Sequence, residues 1–201
     1  MRIEIKNYVD SWQIIKDNAM FTIHKDTGKY PSSDWKKKIL RAEHSPIRSG
    51  RLIINCYDVP SFVIGHIARH NIGFTPFVST LRNDRTEYDT VPDRNTPNGL
   101  RFDGNFQSFI NISRRRMCGQ ASKETRYFWN AVMPAIAEVE PELYFSCVPE
   151  CVYRGGCPEF TACGFWHKFM KLVESENKSL DDLLSLEKRY KLWHEHKNNI
   201  I

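Results

Sequence analysis

The pattern of apolar and polar positions predicts two β-strands in the first third of the chain. Residues 2–9 (RIEIKNYV) alternate between charged and apolar side chains, as in a strand with one buried face. Residues 51–59 (RLIINCYDV) are apolar and rich in β-branched side chains, which favours an extended conformation. A short extended piece is expected within residues 71–85. Residues 86–104 show no periodicity and are expected to form a long polar connection.

Apolar residues at helical spacing predict several helices. These helices are expected over residues 11–25, 34–42, 60–70, 105–117, 122–139 and 179–196. Pro60 suits a first helical turn, and Ser122 suits an N-cap. The last helix carries acidic residues first and basic residues last, which suits the helix dipole. A few strands among several helices predict an α+β fold in a single domain, residues 1–201.

Composition and charge narrow the class of protein. The chain has 201 residues, enough for one sizeable core. It has no run of about 18 apolar residues, and its N-terminus does not resemble a secretory signal, so we expect a cytoplasmic protein without a membrane partner. The net charge of +5 is modest, and the only dense basic run is residues 113–116 (SRRR). A small phosphorylated ligand is therefore favoured over a nucleic acid.

Residues 65–70 (GHIARH) place two histidines four positions apart with an arginine between them. On a helix, His66, Arg69 and His70 would share a face. Two imidazoles at this spacing can bind one metal ion, but Arg69 would repel a cation, and isoleucine stands where a zinc protease has its glutamate. The alternatives are a solvent-exposed polar face and an anion-binding face. The anion-binding face is favoured because two more arginines follow after a short turn, the first at Arg82.

Three consecutive arginines, Arg114, Arg115 and Arg116, lie near the end of the helix predicted over residues 105–117. Neighbouring residues on a helix differ by about 100°, so the three side chains cannot point the same way. One is expected to point inward, toward a ligand or a carboxylate, and the others toward solvent. Arginine suits a planar, two-pronged hydrogen bond to a phosphate or an imide.

A cysteine-rich segment, expected to be a loop, covers residues 144–166. Its four thiols are Cys147, Cys151, Cys157 and Cys163. Four thiols could form a zinc or iron–sulfur site, but there is no C-x2-C pair, so reduced structural cysteines are the alternative. Cys118, beside Arg116, is interpreted as structural.

Three segments, in this order, resemble motifs of the flavin-dependent thymidylate synthases, the ThyX family. Residues 43–48 (EHSPIR) are similar to H-x-S/T-P-F-E-H. Residues 61–82 (SFVIGHIARHNIGFTPFVSTLR) are similar to the region of the signature R-H-R-x-x-S-x-N-E-x-S-x-R. Residues 105–126 (NFQSFINISRRRMCGQASKETR) resemble N-x-R-S-L-x-N-F-L-x-L-R-x-x-x-x-A-Q-x-E-I-R without a gap. This last segment is the most specific part of the resemblance, which covers roughly residues 30–140.

The resemblance implies a small antiparallel sheet packed with several helices, and a defined enzyme. Such an enzyme forms a homotetramer, binds FAD between its subunits and reduces it with NADPH. The implied reaction transfers the methylene group of methylenetetrahydrofolate to dUMP, giving dTMP. No cysteine nucleophile is implied.

The resemblance also assigns site residues position by position. The implied cofactor-binding residues are Ser45, Arg69, His70, Asn71, Asn105, Gln107 and Asn111, with Gln107 in place of an arginine. The implied substrate-binding residues are His66, Arg69, Thr80, Leu81, Arg82 and Arg116. Arg116 is the implied catalytic residue, because it matches an arginine that hydrogen-bonds uracil and favours its N3-ionised form. That charge would make C5 more nucleophilic. His66 stands where the family usually has a glutamine that contacts dUMP.

The chain departs from the family motifs at several positions. Asn71 replaces the second signature arginine, and Phe77 and Val78 stand where the signature has N-E. The helical excursion after the signature is reduced to residues 86–104, where Arg94 is the candidate phosphate-binding arginine. These departures leave open a homologue that acts on another pyrimidine nucleotide or transfers another one-carbon unit. A non-catalytic metal-binding homologue and a nucleic-acid-binding metalloprotein are the remaining alternatives.

Overall fold

Four antiparallel strands form one sheet in the part of the chain that the structure describes. The computed structural model describes residues 1–6, 8–87, 89, 91–176 and 178–200, with side chains up to residue 197. The strands are β1 (Arg2–Lys6), β2 (Arg51–Pro60), β3 (Phe74–Val78) and β4 (Pro97–Asn105), and their order in the sheet is β1-β2-β4-β3. The predicted strands at 2–9 and 51–59 are therefore present, the first in a shorter form.

Strand β4 corrects the prediction for residues 86–104, whose second half is a central strand rather than a polar connection. Phe102 pairs in register with Ile54 of β2 and with Pro76 of β3. Alternate side chains on the other face are polar, and Arg101 donates from Nε to Asn55 Oδ1 at 2.7 Å. The buried face of β4 carries Leu100, Phe102 and then Gly104. Two large apolar side chains are too few for the alternation to reveal the strand.

The described residues also form nine α-helices. They are α1 (Trp12–Phe21), α2 (Ser33–Ala42), α3 (Ser61–Ala68), α4 (Phe106–Arg116), α5 (Lys123–Val139), α6 (Pro141–Ser146), α7 (Glu150–Arg154), α8 (Phe165–Ser175) and α9 (Leu186–Ile200). Single turns of 3-10 helix cover Ser45–Ser49 and Leu180–Leu183. The predicted α+β fold, with a small antiparallel sheet packed with helices, is confirmed.

The end of the third helix differs from the prediction. Strand β2 runs directly into α3, and the Ser61 amide and hydroxyl both donate to the carbonyl of Thr96, at 3.1 and 2.8 Å. These bonds tie the start of α3 to the start of β4. Helix α3 ends at Ala68, so Arg69 and His70 follow the helix instead of continuing its face.

The C-terminal third is more helical than the cysteine pattern suggested. Residues 144–166 include the end of α6, all of α7 and the start of α8, which leaves loops over residues 147–149 and 155–164. The predicted helix 179–196 is divided between a 3-10 turn and α9. The buried guanidinium of Arg189 donates to the carbonyls of Val152, Tyr153 and Leu183, and this joins α7, α9 and the 3-10 turn.

Two hydrophobic clusters make up the core. The larger lies between the sheet and α3, α4 and α5, where the Trp129 ring packs against Phe102 and Phe109. The smaller lies among α7, α8 and α9 around Phe169 and Trp193. None of the described helices is long and apolar enough to cross a membrane.

Candidate functional site

The C-terminal end of α4 carries the central side chain of the candidate site. The helix begins at Asn105, whose Oδ1 accepts a hydrogen bond from the Ser108 amide at 2.9 Å. Eleven residues later, half-buried Arg116 donates from Nε to His70 Nε2 at 2.8 Å and from Nη2 to the His66 carbonyl at 2.6 Å. Arg116 therefore joins α4 to α3 and to the residues that follow α3.

The bond from Arg116 fixes the protonation state of His70. An arginine only donates hydrogen bonds, so Nε2 of His70 must be an acceptor and its proton lies on Nδ1. Burial, together with the positive charges of Arg116 and Arg115, lowers the pKa of His70 to about 4. His70 is therefore a neutral acceptor at neutral pH, which leaves the charge on Arg116.

His66 is held from the opposite side by α5. Its Nδ1 lies 2.8 Å from Oγ1 of Thr125, which is fully buried. Thr125 Oγ1 lies 2.8 Å from Oγ of Ser122, the N-cap of α5. The Phe62 ring meets the imidazole edge-on, with centroids 5.8 Å apart.

Three arginines lie close enough to His66 to act on its charge. Burial lowers the pKa of His66, and the positive charges of Arg116, Arg69 and Arg94 lower it further. Arg94 also lies over the Phe62 ring, 4.6 Å from its centroid. We call Arg69, Arg94 and Arg116 the arginine cluster. A cluster of this kind attracts an anion and repels a metal cation.

The other two arginines of the 114–116 run have different surroundings. Arg114 is buried, forms an ion pair with Glu43 and lies 3.5 Å from the centroid of the Tyr153 ring. Arg115 is exposed and pairs with Glu159 at 3.4 Å. Arg114 is thus the arginine that points inward at a carboxylate, as predicted. Arg116 is also partly buried, whereas the prediction placed the other two arginines toward solvent. The three do not form a basic stripe for nucleic acid.

A polar cleft of about 550 Å³ lies beside the arginine cluster. It is lined by Glu43, Arg48, Ile72, Gly73, Asn105, Gln107 and Asn111. Three of the predicted cofactor-binding residues, Asn105, Gln107 and Asn111, therefore share one cleft. Gln107 donates to Glu43 Oε2 at 2.6 Å and to Asn111 Oδ1 at 3.2 Å.

Gly73 is needed for the shape of this cleft. Its φ of +68° favours glycine, and a Cβ there would overlap the side chain of Asn105. Its carbonyl accepts a hydrogen bond from the Asn105 amide at 2.8 Å. The chain between His70 and Gly73 thus borders the arginine cluster at one end and the cleft at the other.

Three predicted site residues lie apart from this cleft. Ser45 is exposed and lines a different cavity of about 700 Å³, between α1 and α2. Asn71 is exposed in the turn after α3. Arg69 is also exposed and belongs to the arginine cluster rather than to the cleft residues.

The segment Thr80, Leu81 and Arg82 lies beyond the end of β3. The Arg82 guanidinium pairs with Asp84, and the Arg82 amide donates to Thr80 Oγ1 at 3.2 Å. Leu81 and Arg82 line a small surface cavity with Asp84 and Asp89. No contact among the described residues joins this segment to Arg116.

The proposed cysteine site is corrected by the structure. Cys147 is completely buried in the larger core cluster, where the Ser113 hydroxyl hydrogen-bonds it, so it does not belong with the other three thiols. Cys118 lies with the other thiols instead: burial, together with Cys118, Cys157 and Cys163, raises the pKa of Cys151 to about 12. Within the described residues, no three Cys, His, Asp or Glu side chains are placed to hold a metal ion.

Several residues of the site were missed by sequence reasoning. Glu43 and Arg48 of the cleft are the first and last residues of the EHSPIR segment, so their place in the same segment as Ser45 was the available signal. Thr125 lies three residues after the predicted cap Ser122 and shares the start of α5 with it. Its contact with His66 had no signal in the spacing, because the two residues are 59 positions apart.

Comparison with known proteins supports the fold more than the chemistry. No protein-family model and no curated protein matches the chain. Thymidylate synthase X (ThyX) from Helicobacter pylori, solved with FAD and dUMP, is 13% identical over 74% of this chain and 99% of that chain, with a TM-score of 0.61. A second structure of the Helicobacter pylori enzyme, complexed with FAD and dUMP, is 14% identical over 74% and 100%, with a TM-score of 0.58.

A third similar structure extends the comparison to a related methylase. The UMP/dUMP methylase PolB from Streptomyces cacaoi, bound with 5-Br dUMP, is 12% identical over 72% of this chain and 93% of that chain, with a TM-score of 0.58. The class of protein is therefore defined by its architecture: this chain has a ThyX-like α+β fold. Its arginine cluster and polar cleft lie within that fold.

Proposed function

We propose that the protein is a flavin-dependent thymidylate synthase-like enzyme that methylates dUMP to dTMP and acts as a homotetramer. Methylenetetrahydrofolate would donate the carbon and NADPH the reducing equivalents. The observation that carries the proposal is the contact of Arg116 with His70 and with the His66 carbonyl, within a ThyX-like fold. This contact places a fixed guanidinium among two further arginines, where a nucleotide can bind.

The residues of the polar cleft fit part of a dinucleotide cofactor. Asn105, Gln107 and Asn111 offer amide groups, Arg48 offers a cation, and Gly73 leaves room where a side chain would intrude. FAD, when bound, would supply the redox chemistry. The chain's own contribution is to hold the cofactor with amides and to keep His70 neutral beside Arg116. The carboxylate of Glu43 is already occupied by Arg114 and Gln107, so it adds little repulsion toward a phosphate.

Arg116 has the role of nucleotide recognition in this proposal. Its guanidinium can donate to a pyrimidine carbonyl and stabilise negative charge on the ring, which would favour attack from C5. Arg69 and Arg94 are proposed to bind the phosphate. Thr80, Leu81 and Arg82 are proposed to serve a nucleotide bound to a neighbouring subunit, because they have no described contact with Arg116 in their own chain.

A turnover assay with dUMP, methylenetetrahydrofolate and NADPH tests the proposal. We expect flavin absorbance in the purified protein or after FAD is added, formation of dTMP, and a tetramer by light scattering. Arg115→Ala should keep the activity and Arg116→Ala should lose it. Absence of both bound flavin and dTMP would overturn the proposal. Stoichiometric zinc or iron in that flavin-free protein would favour a metal-binding homologue.

UMP is a second candidate substrate, favoured by the similarity to the UMP/dUMP methylase PolB. The same assay run with UMP, and with dCMP as a third nucleotide, separates the candidates. Faster turnover of UMP than of dUMP would assign the ribonucleotide as substrate. Turnover of dCMP alone would contradict both assignments.

A further inference from the structure

The contact between His66 and Thr125 ties a candidate substrate residue to a buried residue of a different helix. Thr125 Oγ1 lies 2.8 Å from His66 Nδ1 and 2.8 Å from Ser122 Oγ. The Thr125 amide also donates to Ser122 Oγ at 3.3 Å. Because Thr125 is fully buried at the start of α5, its hydroxyl cannot turn to water and keeps these partners.

Both members of the contact differ from the ThyX family motifs. His66 stands where a glutamine is usual, and Thr125 aligns with the isoleucine of the E-I-R triplet. An isoleucine could not hydrogen-bond a histidine. The two departures are thus in direct contact. They form a hydrogen bond where the family motifs have a glutamine and an isoleucine.

The hydrogen bonds around Thr125 favour one form of the His66 ring. A neutral imidazole carries a hydrogen on one nitrogen and a lone pair on the other. Ser122 Oγ accepts from the Thr125 amide and lies 2.8 Å from Thr125 Oγ1, so it can also accept the hydrogen of the Thr125 hydroxyl. Thr125 Oγ1 then accepts from Nδ1–H of His66 at 2.8 Å. This arrangement places the hydrogen of the ring on Nδ1 and the lone pair on Nε2.

Nε2 of His66 forms no hydrogen bond with any residue that the structure describes. We propose that Thr125 is a positioning residue for nucleotide recognition: it holds His66 through Nδ1, so that Nε2 accepts a hydrogen bond from an N–H or O–H group of a bound pyrimidine nucleotide. The ligand class rests on the proposed function, but the arrangement of the ring does not. Arg116 donates and His66 accepts, so the pair matches the edge of a neutral pyrimidine, which presents an oxygen beside an N–H, as the nucleotide binds and before negative charge develops on the ring.

Nitrogen NMR of the nucleotide-free protein tests the arrangement of the ring. We expect His66 to carry its hydrogen on Nδ1 in the native protein and in Thr125→Ser, which keeps the hydroxyl. In Thr125→Val the ring should shift toward the Nε2–H form. A native protein with the hydrogen on Nε2 would overturn the proposal. The native and Thr125→Ser spectra decide this point even if Thr125→Val does not fold.

Calorimetric binding of dUMP tests the recognition step. Thr125→Val should bind dUMP about tenfold more weakly, as expected for loss of one hydrogen bond in a site, and Thr125→Ser should bind as the native protein does. Thr22→Val is the matched control, because Thr22 is exposed directly after α1 and its hydroxyl bonds only the Ala19 carbonyl among the described contacts.

The two tests separate the arrangement of the ring from the identity of the ligand. Unchanged dUMP binding in Thr125→Val would overturn the role in recognition. If native protein binds neither dUMP nor UMP, the pyrimidine assignment fails together with the proposed function. The NMR result would then still decide whether Thr125 positions His66.

Discussion

The guanidinium of Arg116 and the imidazole of His70 form a directed pair, with Nε of Arg116 donating to Nε2 of His70 at 2.8 Å. The pair joins the end of α4 to the turn after α3, so the two segments that line the candidate site cannot move independently. Burial lowers the pKa of both side chains. At neutral pH the imidazole is therefore neutral, whereas the guanidinium remains charged.

Arg116→Ala is expected to weaken dUMP binding by roughly tenfold to a hundredfold, because a hydrogen bond from a charged donor contributes about 1.5–3 kcal/mol. The fold should persist, since the side chain is only half-buried. Calorimetry gives the affinity, and circular dichroism checks the fold. Arg115→Ala, on the next position of the same helix, is the control and should bind normally. Equal affinities for the two variants would show that α4 is wrongly aligned with the family motif.

Glu43→Ala is expected to lower the free energy of unfolding by about 3 kcal/mol, because it leaves the buried guanidinium of Arg114 without its partner. Burial lowers the pKa of Arg114, but the hydrogen bond and charge of Glu43 raise it above its usual value, so this arginine stays charged. Urea unfolding measures the change. Asp84→Ala removes the partner of exposed Arg82 and should change stability by less than about 0.5 kcal/mol. A similar small effect for Glu43→Ala would contradict the buried pair.

Glu140 is expected to make the stability depend on pH. Burial raises its pKa from 4.5 to about 7, although hydrogen bonds from Trp12 and Tyr8 partly oppose this. The native state therefore binds the proton more tightly than the unfolded state. The stability contributed by this group is complete below pH 4.5 and is lost as the pH rises toward about 7.

Glu140→Gln should remove that part of the pH dependence, and urea unfolding between pH 4.5 and pH 7 measures it. Glu138→Gln, at an exposed position two residues earlier near the end of α5, should keep the native slope. If the stability of the native protein rises through this window and Glu140→Gln abolishes the rise, the pKa of Glu140 is lowered by folding rather than raised.

We expect the reactivity of each thiol to depend on its burial and not on whether it lies in the cysteine-rich segment. Cys163 is exposed and should react first with an alkylating reagent, followed by half-buried Cys118 and Cys157. Burial raises the pKa of Cys56 and Cys147 to about 12, so both should react only after unfolding. Mass spectrometry of partly alkylated protein gives the order. Early labelling of Cys147 would contradict its place in the core.

Local sequence patterns were enough to predict the structure where the contacting residues lie close together in the sequence. Ser122 was predicted as a cap, and its Oγ accepts from the Thr125 amide three residues later. Strand β2 and helices α4 and α5 follow directly from the period of their apolar residues. Arg116 was selected by a gap-free motif within one helix and its flanks.

What the sequence by itself determined is the α+β class and most of the regular elements, because periodicity and capping depend on neighbours within a few positions. It also selected Arg116 as a candidate site residue, through a motif contained in one continuous segment. The tertiary structure alone decided that β4 is a central strand, that Cys118 rather than Cys147 lies with the other thiols, and that Thr125 holds His66. Each of these depends on residues far apart in the chain, 59 positions for Thr125 and His66. Such contacts form only when the whole core is packed, so no local pattern records them.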